Sequence, residues 1–202
     1  MQISEFIELA KLRRSIRGYQ DKPVPKEYLE KIVEAAHWAP SGYNKQPWKF
    51  VVVDEKEQRE KVVASIGEEV SQTKERVPEF NGKLAPYLAK VPAFIAVVGK
   101  PSVREEFPPN RRGMSADKIY FASFAAAIQN ILLAATSLGL GSVFFTVGSE
   151  DWAQAMLKQV LGVPADEEVL FCIPVGYPEK ELETPGEDKR LKLDEIMSWN
   201  KY

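Results

Sequence analysis

The feature that most constrains the fold is one long apolar stretch, which covers residues 119–135. Within 119–128 the apolar residues recur on every face of a helix instead of along one stripe. A helix that is apolar on all sides must be buried on all sides. The stretch also falls short of the roughly 20 apolar residues that a membrane span requires. We therefore expect a central helix over 117–138 that also faces a second subunit across an apolar interface.

The composition is typical of one globular domain over residues 1–202. The chain is 45% hydrophobic and 28% charged, which argues against a disordered, collagen-like or disulfide-scaffold protein. A net charge of −2 provides no field that would attract nucleic acid. The single cysteine, Cys172, lies in an apolar run, so we expect a buried thiol in a reducing compartment. The first residues lack the pattern of a signal peptide, which favours a cytoplasmic location without membrane contact.

Hydrophobic periodicity predicts helices and strands that alternate along the chain. The stretch 67–90 is charged and aperiodic and could be helical or mobile, while 100–115 is typical of an exposed loop or a lid. We find no internal repeat and no linker-like change in composition. The predicted helices are one that begins at an N-cap Ser4, then 25–38, 55–66, 117–138 and 150–161, and the predicted strands are 48–53, 93–98, 142–146 and 169–175.

The common catalytic and nucleotide-binding motifs are missing from the sequence. His37 is the only histidine, and no ligand residue lies four positions away on either side, so we expect no zinc site. No Gly-x-Ser-x-Gly elbow and no Walker loop occur. The pair Gly139 and Gly141 lacks the third glycine of a dinucleotide fingerprint, because position 144 is Phe. A nucleotide cofactor would have to be held by another arrangement.

A basic cluster near the N-terminus could provide that arrangement. Arg13, Arg14 and Arg17 flank Ser15, so three guanidinium groups and one hydroxyl group lie within five residues. Guanidinium groups can converge on a phosphate monoester with bidentate, charge-assisted hydrogen bonds. The same residues could equally form a solvated basic turn or surface ion pairs.

A second polar loop lies between a predicted helix and a predicted strand. Asn44 and Gln46 place two amide side chains between Pro40 and Pro47. An amide can donate and accept at once, which is what a planar uracil-like ring edge requires. The alternative is an Asx-type turn in which Asn44 bonds only its own backbone.

Taken together, the two loops resemble the nitroreductase family of FMN-dependent NAD(P)H oxidoreductases. The likeness extends through the long helix, the Gly139-Leu140-Gly141 turn, and the segments 173–178 and 190–196. It implies an α+β, three-layer fold with a central mixed or antiparallel sheet flanked by helices. It also implies a homodimer in which the long buried helix lies at the interface and FMN contacts both chains. The residues that carry the resemblance are Arg13-Arg14-Ser15-Ile16-Arg17 and Ala39-Pro40-Ser41-x-x-Asn44-x-Gln46-Pro47-Trp48.

The resemblance also implies roles for individual residues. No side chain would be catalytic, because the flavin carries the chemistry. Many family members have an acidic residue in the turn where this chain has Thr146-Val147-Gly148, so only backbone contact with flavin N5 is expected there, from Val147 or Gly148. The other implied flavin contacts are Arg13, Arg14, Ser15 and Arg17 on the phosphate, ribityl chain and pyrimidine edge, Arg190 at the phosphate end, and Asn44 with Pro40, Ser41 and Gln46 at the ring.

The implied activity is ping-pong hydride transfer from NAD(P)H, a transient donor, to nitroaromatic, quinone or similar small-molecule acceptors. A cation near the N1–C2 carbonyl edge stabilises the reduced ring, and Arg17 is the candidate. The alternatives are a specialised family member, such as a dehalogenase, an enoate-type reductase or a flavin-fragmenting oxygenase, and a flavin-binding protein with incidental turnover. A nucleic-acid module that uses the arginines is a more distant alternative.

Overall fold

The computed structural model describes residues 2–77, 79–148, 150–186 and 189–202. Four short 3₁₀ turns lie between the longer elements, at Gly42–Asn44, Pro86–Lys90, Pro101–Glu106 and Pro109–Arg111. The helices are α1 (Ile3–Leu12), α2 (Lys26–His37), α3 (Lys56–Arg76), α4 (Met114–Ser137), α5 (Asp151–Leu161) and α6 (Leu193–Ile196), and the strands are β1 (Trp48–Val53), β2 (Ala93–Gly99), β3 (Gly141–Ser142) and β4 (Glu168–Gly176).

The strands form one antiparallel sheet in the order β1-β2-β4-β3. All seven residues of β2 are buried, because the strand is apolar on both faces and lies between β1 and β4. Ile95 and Val97 join a core with α2 and α4, whereas Phe94, Ala96 and Val98 join a second core with α3 and α5. The predicted α+β fold with helices on both sides of an antiparallel sheet is confirmed.

Helix α4 is the central core helix that the sequence predicts, but one of its faces is uncovered in the single chain. Tyr120, Phe124 and Ile128 are fully buried. Phe121 is 44% exposed and Met114 is 78% exposed. Helix α4 is long and apolar enough to cross a membrane, with a mean hydropathy of 1.5 over its most apolar 18 residues. Half of that stretch is buried within the chain, as in the core helix of a globular protein.

Several boundaries differ from the sequence predictions. Helix α1 begins one residue earlier than Ser4, and Gln2 is its N-cap. Helix α3 continues to Arg76, ten residues beyond the predicted end at 66, because its second half packs against α5. Strand β3 has only two residues, since the chain leaves the sheet edge after Ser142 and returns in a single bridge between Thr146 and Phe171. The 100–115 stretch is less exposed than predicted, because Val103 and Phe107 are buried against α4.

The chain after α1 runs close beside β3 at Gly141. A Cβ atom on Gly141 would lie 2.7–2.8 Å from Cβ, Cγ1 and Cγ2 of Ile16. Because Ile16 is branched at Cβ, it cannot move aside without moving its backbone. Glycine at this position therefore allows the arginine-rich segment to contact the sheet.

We predict that Gly141→Ala lowers the free energy of unfolding by about 1–3 kcal/mol, the usual cost of overpacking. Gly67→Ala is the matched control, since Gly67 lies inside α3 and its Cβ would meet only the Leu84 side-chain end at 3.3 Å. That control should raise stability by about 0.5–1 kcal/mol through helix propensity. Urea unfolding of both variants measures the difference. Equal effects would contradict the close approach at Gly141.

Candidate functional site

The arginine-rich segment, residues 13–17, is held by its backbone at the end of α1. Arg13 caps the helix, and its N–H donates to Leu9 O at 3.1 Å. The Ile16 N–H donates to Ser142 O at 3.0 Å, and Ser15 pairs with Ser142 in a parallel bridge. These contacts fix the segment against β3 while its polar side chains remain partly or fully accessible.

Three guanidinium groups gather at this point. Burial lowers the pKa of Arg13, and the nearby positive charges of Arg190 and Arg14 lower it further. Within the described residues, Arg13, Arg14, Arg17 and Arg190 form no ion pair with a carboxylate. Clustered cations without acidic partners are suited to binding an anion with several oxygens, such as a phosphate group. The structure therefore brings together three of the arginines that the sequence singles out, Arg13, Arg14 and Arg190. The partial burial of Arg13 disfavours the solvated-turn alternative for that residue.

Arg17 points to a different neighbour from the other arginines. Its positive charge acts on the hydroxyl groups of Tyr87 and Tyr19, so its guanidinium group lies near both rings. Burial raises the pKa of Tyr87, and the charge of Arg17 acts in the opposite direction. The 3₁₀ turn that carries Tyr87 thus contributes one wall beside Arg17, which the sequence pattern did not indicate.

The polar loop over residues 40–46, called the amide loop here, has an unusual backbone. Tyr43, Asn44 and Gln46 all have positive φ values, of 53°, 53° and 46°. Such conformations cost about 1–3 kcal/mol each in non-glycine residues and persist only where surrounding contacts impose them. The Ser41 hydroxyl accepts the Gln46 N–H at 2.9 Å and so closes the loop.

The side chain of Asn44 does not form the Asx-type turn that was the alternative in the sequence. Asn44 Oδ1 accepts from Gln46 Nε2 at 3.2 Å. Asn44 therefore pairs with a second amide, and both exposed side chains keep donor or acceptor capacity for a ligand. Pro40 is the exposed first residue of the loop, three positions after α2 ends at His37.

Neighbouring elements hold the amide loop in this conformation. The Gly42 N–H donates to Ser123 Oγ at 3.1 Å, which places the loop on the first half of α4. Lys45 Nζ pairs with Glu106 Oε2 at 2.8 Å, and the Tyr43 ring lies 5.6 Å from the Phe107 ring. The 101–107 turn therefore supports the loop from outside.

The amide loop is anchored on α4, whereas the arginine-rich segment is anchored on β3, which follows α4 in the chain. The loop meets the helix at Ser123, whereas Ile16 packs on Gly141, beyond the end of the helix at Ser137. About 21 Å of helix axis separates Ser123 from Ser137 at a rise of roughly 1.5 Å per residue. In the described residues, no hydrogen bond or ion pair links the two sets. The two sets are thus anchored independently of each other.

The turn over residues 146–148 follows the predicted strand, as expected. Some of its peptide N–H groups already form hydrogen bonds within the chain. The Gly148 N–H donates to Glu69 Oε2 at 3.0 Å. The Thr146–Phe171 bridge, with Phe145 O accepting from Cys172 N–H at 3.0 Å, directs the Val147 N–H toward β4. In such a pair the N–H of Thr146 itself points away from β4. Thr146 and Glu69 are therefore site candidates that the sequence pattern did not identify.

The metal-ligating side chains, His37 and Cys172 form no further candidate site in the described part of the chain. In the ranges that the structure describes, no group of three His, Cys, Asp or Glu residues could hold a metal ion. His37 is exposed at the end of α2 and packs edge-on against Trp38 at 5.6 Å. Burial raises the pKa of the Cys172 thiol to about 12, so this cysteine is the inert core residue that the sequence predicts.

Comparison with known proteins gives a consistent result. The model of the nitroreductase family matches residues 10–177. A provisionally named NADH dehydrogenase/NAD(P)H nitroreductase of Archaeoglobus fulgidus is 31% identical, over 96% of this chain and 97% of its own length. Iodotyrosine deiodinase 1 of Rattus norvegicus is 30% identical over 98% and 70% of the two chains. The structure of an FMN-dependent nitroreductase of Clostridium difficile superimposes with a TM-score of 0.70 at 27% identity, over 97% and 99% of the chains. The resemblance found in the sequence is confirmed.

We predict that Ser41→Ala destabilises the protein by about 1 kcal/mol, because the Gln46 N–H loses its acceptor in a strained loop. The control is Ser137→Ala, whose hydroxyl donates only to Ala134 O at the exposed end of α4. Urea unfolding should show a loss for the first variant and little change for the second. A neutral Ser41→Ala would mean that the hydroxyl does not hold the loop.

Proposed function

Because the chain belongs to the nitroreductase family of FMN-dependent NAD(P)H oxidoreductases, we propose that its arginine-rich segment, amide loop and 146–148 turn enclose one FMN. The observation that carries this proposal is the gathering of Arg13, Arg14 and Arg190 without acidic partners in the described residues. A phosphate monoester offers the charge and the oxygen atoms that these guanidinium groups lack.

The residues at hand fit FMN in three respects. Arg13, Arg14 and Arg190 would hold the phosphate, and Ser15 supplies a hydroxyl beside them. Asn44 and Gln46 present amides that match the donor and acceptor pattern of the flavin ring edge. Arg17, beside Tyr87, would lie by the pyrimidine edge, where negative charge grows on reduction.

Two copies of the chain are needed to build such a site. Arg17 and Asn44 are both assigned to the flavin ring, which is far shorter than the distance along α4 that separates their anchoring points. A second copy packed against the uncovered face of α4 would supply the amide loop to the arginine-rich segment of the first. A two-fold axis would then create two equivalent sites.

The surface of the single chain is suited to this pairing. Phe121 and Met114 expose apolar area along α4, and α1 has no buried residue. An exposed apolar surface of this extent marks an interaction site on a soluble protein. The segment after residue 190 exposes further apolar side chains, namely Leu191, Leu193, Ile196, Met197 and Trp199.

The proposed reaction, hydride transfer, follows from the FMN that this site would hold. FMN supplies a ring that accepts a hydride from one substrate and passes it to another. The missing dinucleotide fingerprint agrees with a nicotinamide donor that visits the site and leaves. The two chains would exclude water from the ring face and admit planar substrates in turn, and Asn44 and Arg17 would fix the ring between them.

The acceptor is a nitroaromatic, a quinone or a similar small aromatic molecule. A second candidate is reductive dehalogenation, which is favoured by the 30% identity to iodotyrosine deiodinase over nearly the whole chain. Parallel assays with a nitroaromatic compound and with 3-iodotyrosine distinguish the two.

We predict that the purified protein is yellow and that NADH or NADPH bleaches its flavin absorption, which a nitroaromatic acceptor then restores. Absorption spectroscopy under anaerobic conditions makes both measurements. A protein without flavin, or a flavin that neither nucleotide bleaches, would contradict the proposed function.

We also predict that two impaired variants complement each other. Arg13→Ala and Asn44→Ala each remove one half of the site, so each homodimer should retain little FMN. In a mixture of both chains, half of the dimers are mixed, and each mixed dimer has one intact site. About a quarter of the wild-type FMN content should therefore return.

The control for this experiment is Lys26→Ala, which removes an exposed cation far from the site and should leave the FMN content unchanged. No recovery in the co-expressed mixture would mean that both halves of the site come from one chain.

A further inference from the structure

The 146–148 turn is held by two side chains that the proposed flavin site does not use directly. The Gly148 N–H donates to Glu69 Oε2 at 3.0 Å, and the Gly148 carbonyl accepts from Gln154 Nε2 at 2.9 Å. Glu69 lies on α3 and Gln154 lies on α5. The peptide groups on both sides of residue 148 are thus bracketed between two helices.

Gln154 is itself fixed to the sheet. Its Oε1 accepts the Val169 N–H at 2.9 Å, and its Nε2 donates to Val169 O at 2.8 Å. These bonds are possible because the pairing of β4 with β2 shifts by one residue next to Val169. Such bulges often lie beside active sites, where they re-aim the chain. The position of the turn is therefore determined by the core and not by the turn alone.

Only glycine fits at position 148. Its φ is +65°, a conformation that side chains rarely adopt, and an added Cβ would overlap Gln154 Nε2. Gln154 binds the turn from the side of α5, and Glu69 binds it from the side of α3. Glu69 thus lies one hydrogen bond from the turn whose backbone is assigned to the flavin N5 edge.

We propose that Glu69 lowers the reduction potential of the bound flavin, an inference that rests on the function proposed above. Reduction by one hydride adds two electrons and one proton to the ring, while NAD(P)H becomes NAD(P)⁺. A carboxylate close to the ring opposes this gain of negative charge. Glu69 and the Arg17 guanidinium therefore act on the potential in opposite directions, and Glu69 is a positioning residue that also sets the local charge.

The test compares two substitutions that remove the same charge from neighbouring positions on α3. Glu69→Gln keeps an oxygen acceptor for the Gly148 N–H. Glu68→Gln is the control, since Glu68 is exposed and its carboxylate accepts from Gln72 Nε2 at 2.7 Å on the helix surface. The FMN-loaded proteins are equilibrated with a reference dye of known potential during stepwise reduction. FMN content and Tm are measured on the same samples.

We expect Glu69→Gln to shift the ratio of oxidised to reduced flavin at a fixed potential by about tenfold toward the reduced form. For a two-electron couple this is a rise of about 30 mV. FMN content and Tm should stay near the wild-type values. Glu68→Gln should shift the ratio by less than about twofold, because solvent screens an exposed charge.

A third variant separates charge from structure. Gln154→Ala releases the Gly148 carbonyl without changing the charge, so it should lower Tm and FMN content without the rise in potential. Equal shifts in the two glutamate variants, no shift in Glu69→Gln, or loss of FMN from Glu69→Gln would each overturn the inference. A wild-type protein without FMN would instead overturn the proposed function.

Discussion

Repulsion between like charges is the constraint on which the candidate site depends. Burial lowers the pKa of Arg13, and the nearby positive charges of Arg190 and Arg14 lower it further. This repulsion is a cost that the folded chain bears wherever no anion is bound. The backbone bonds of Ile16 to Ser142 and the contact with Gly141 hold the segment against it. An anion that binds only the folded state would relieve the repulsion, so ligand binding and stability are coupled at this point.

In the proposed dimer, helix α4 would extend this local constraint to the whole assembly. Its length sets the distance between the amide loop, which rests on Ser123, and the arginine-rich segment beyond Ser137. One face is buried against the sheet, and the other exposes Phe121. Two copies that meet through this face would place the middle of one helix near the end of the other. In that dimer, the apolar pattern of one helix would determine both the core and the composition of the site.

Local sequence patterns predicted the helices and strands that their own residues specify. The apolar run of β2 could only be a strand buried on both faces, and the Pro25 and Pro40 positions bounded α2. The second half of α3 carries charges without periodicity, because it is stabilised by α5. The left-handed residues of the amide loop were not foreseen, since contacts with the 101–107 turn impose them. Glu69 lies 79 residues from Gly148, so no motif could connect them.

The difference between residues in a local motif and residues brought close by the fold also matters for the properties of the proposed flavin. The arginines and amides that carry the family resemblance are proposed to bind and orient FMN, and they leave the acceptor unspecified. Relatives of about 30% identity carry the names of nitroreductases and of a deiodinase. Residues that adjust the ring should then lie outside the shared motifs, on elements that reach the flavin through the backbone. Glu69 fits this description, because α3 brings a carboxylate to the turn while Gln154 keeps the turn from moving away. The arginine-rich segment and the amide loop can remain the same among relatives while a charge such as that of Glu69 changes the reactions that the flavin supports.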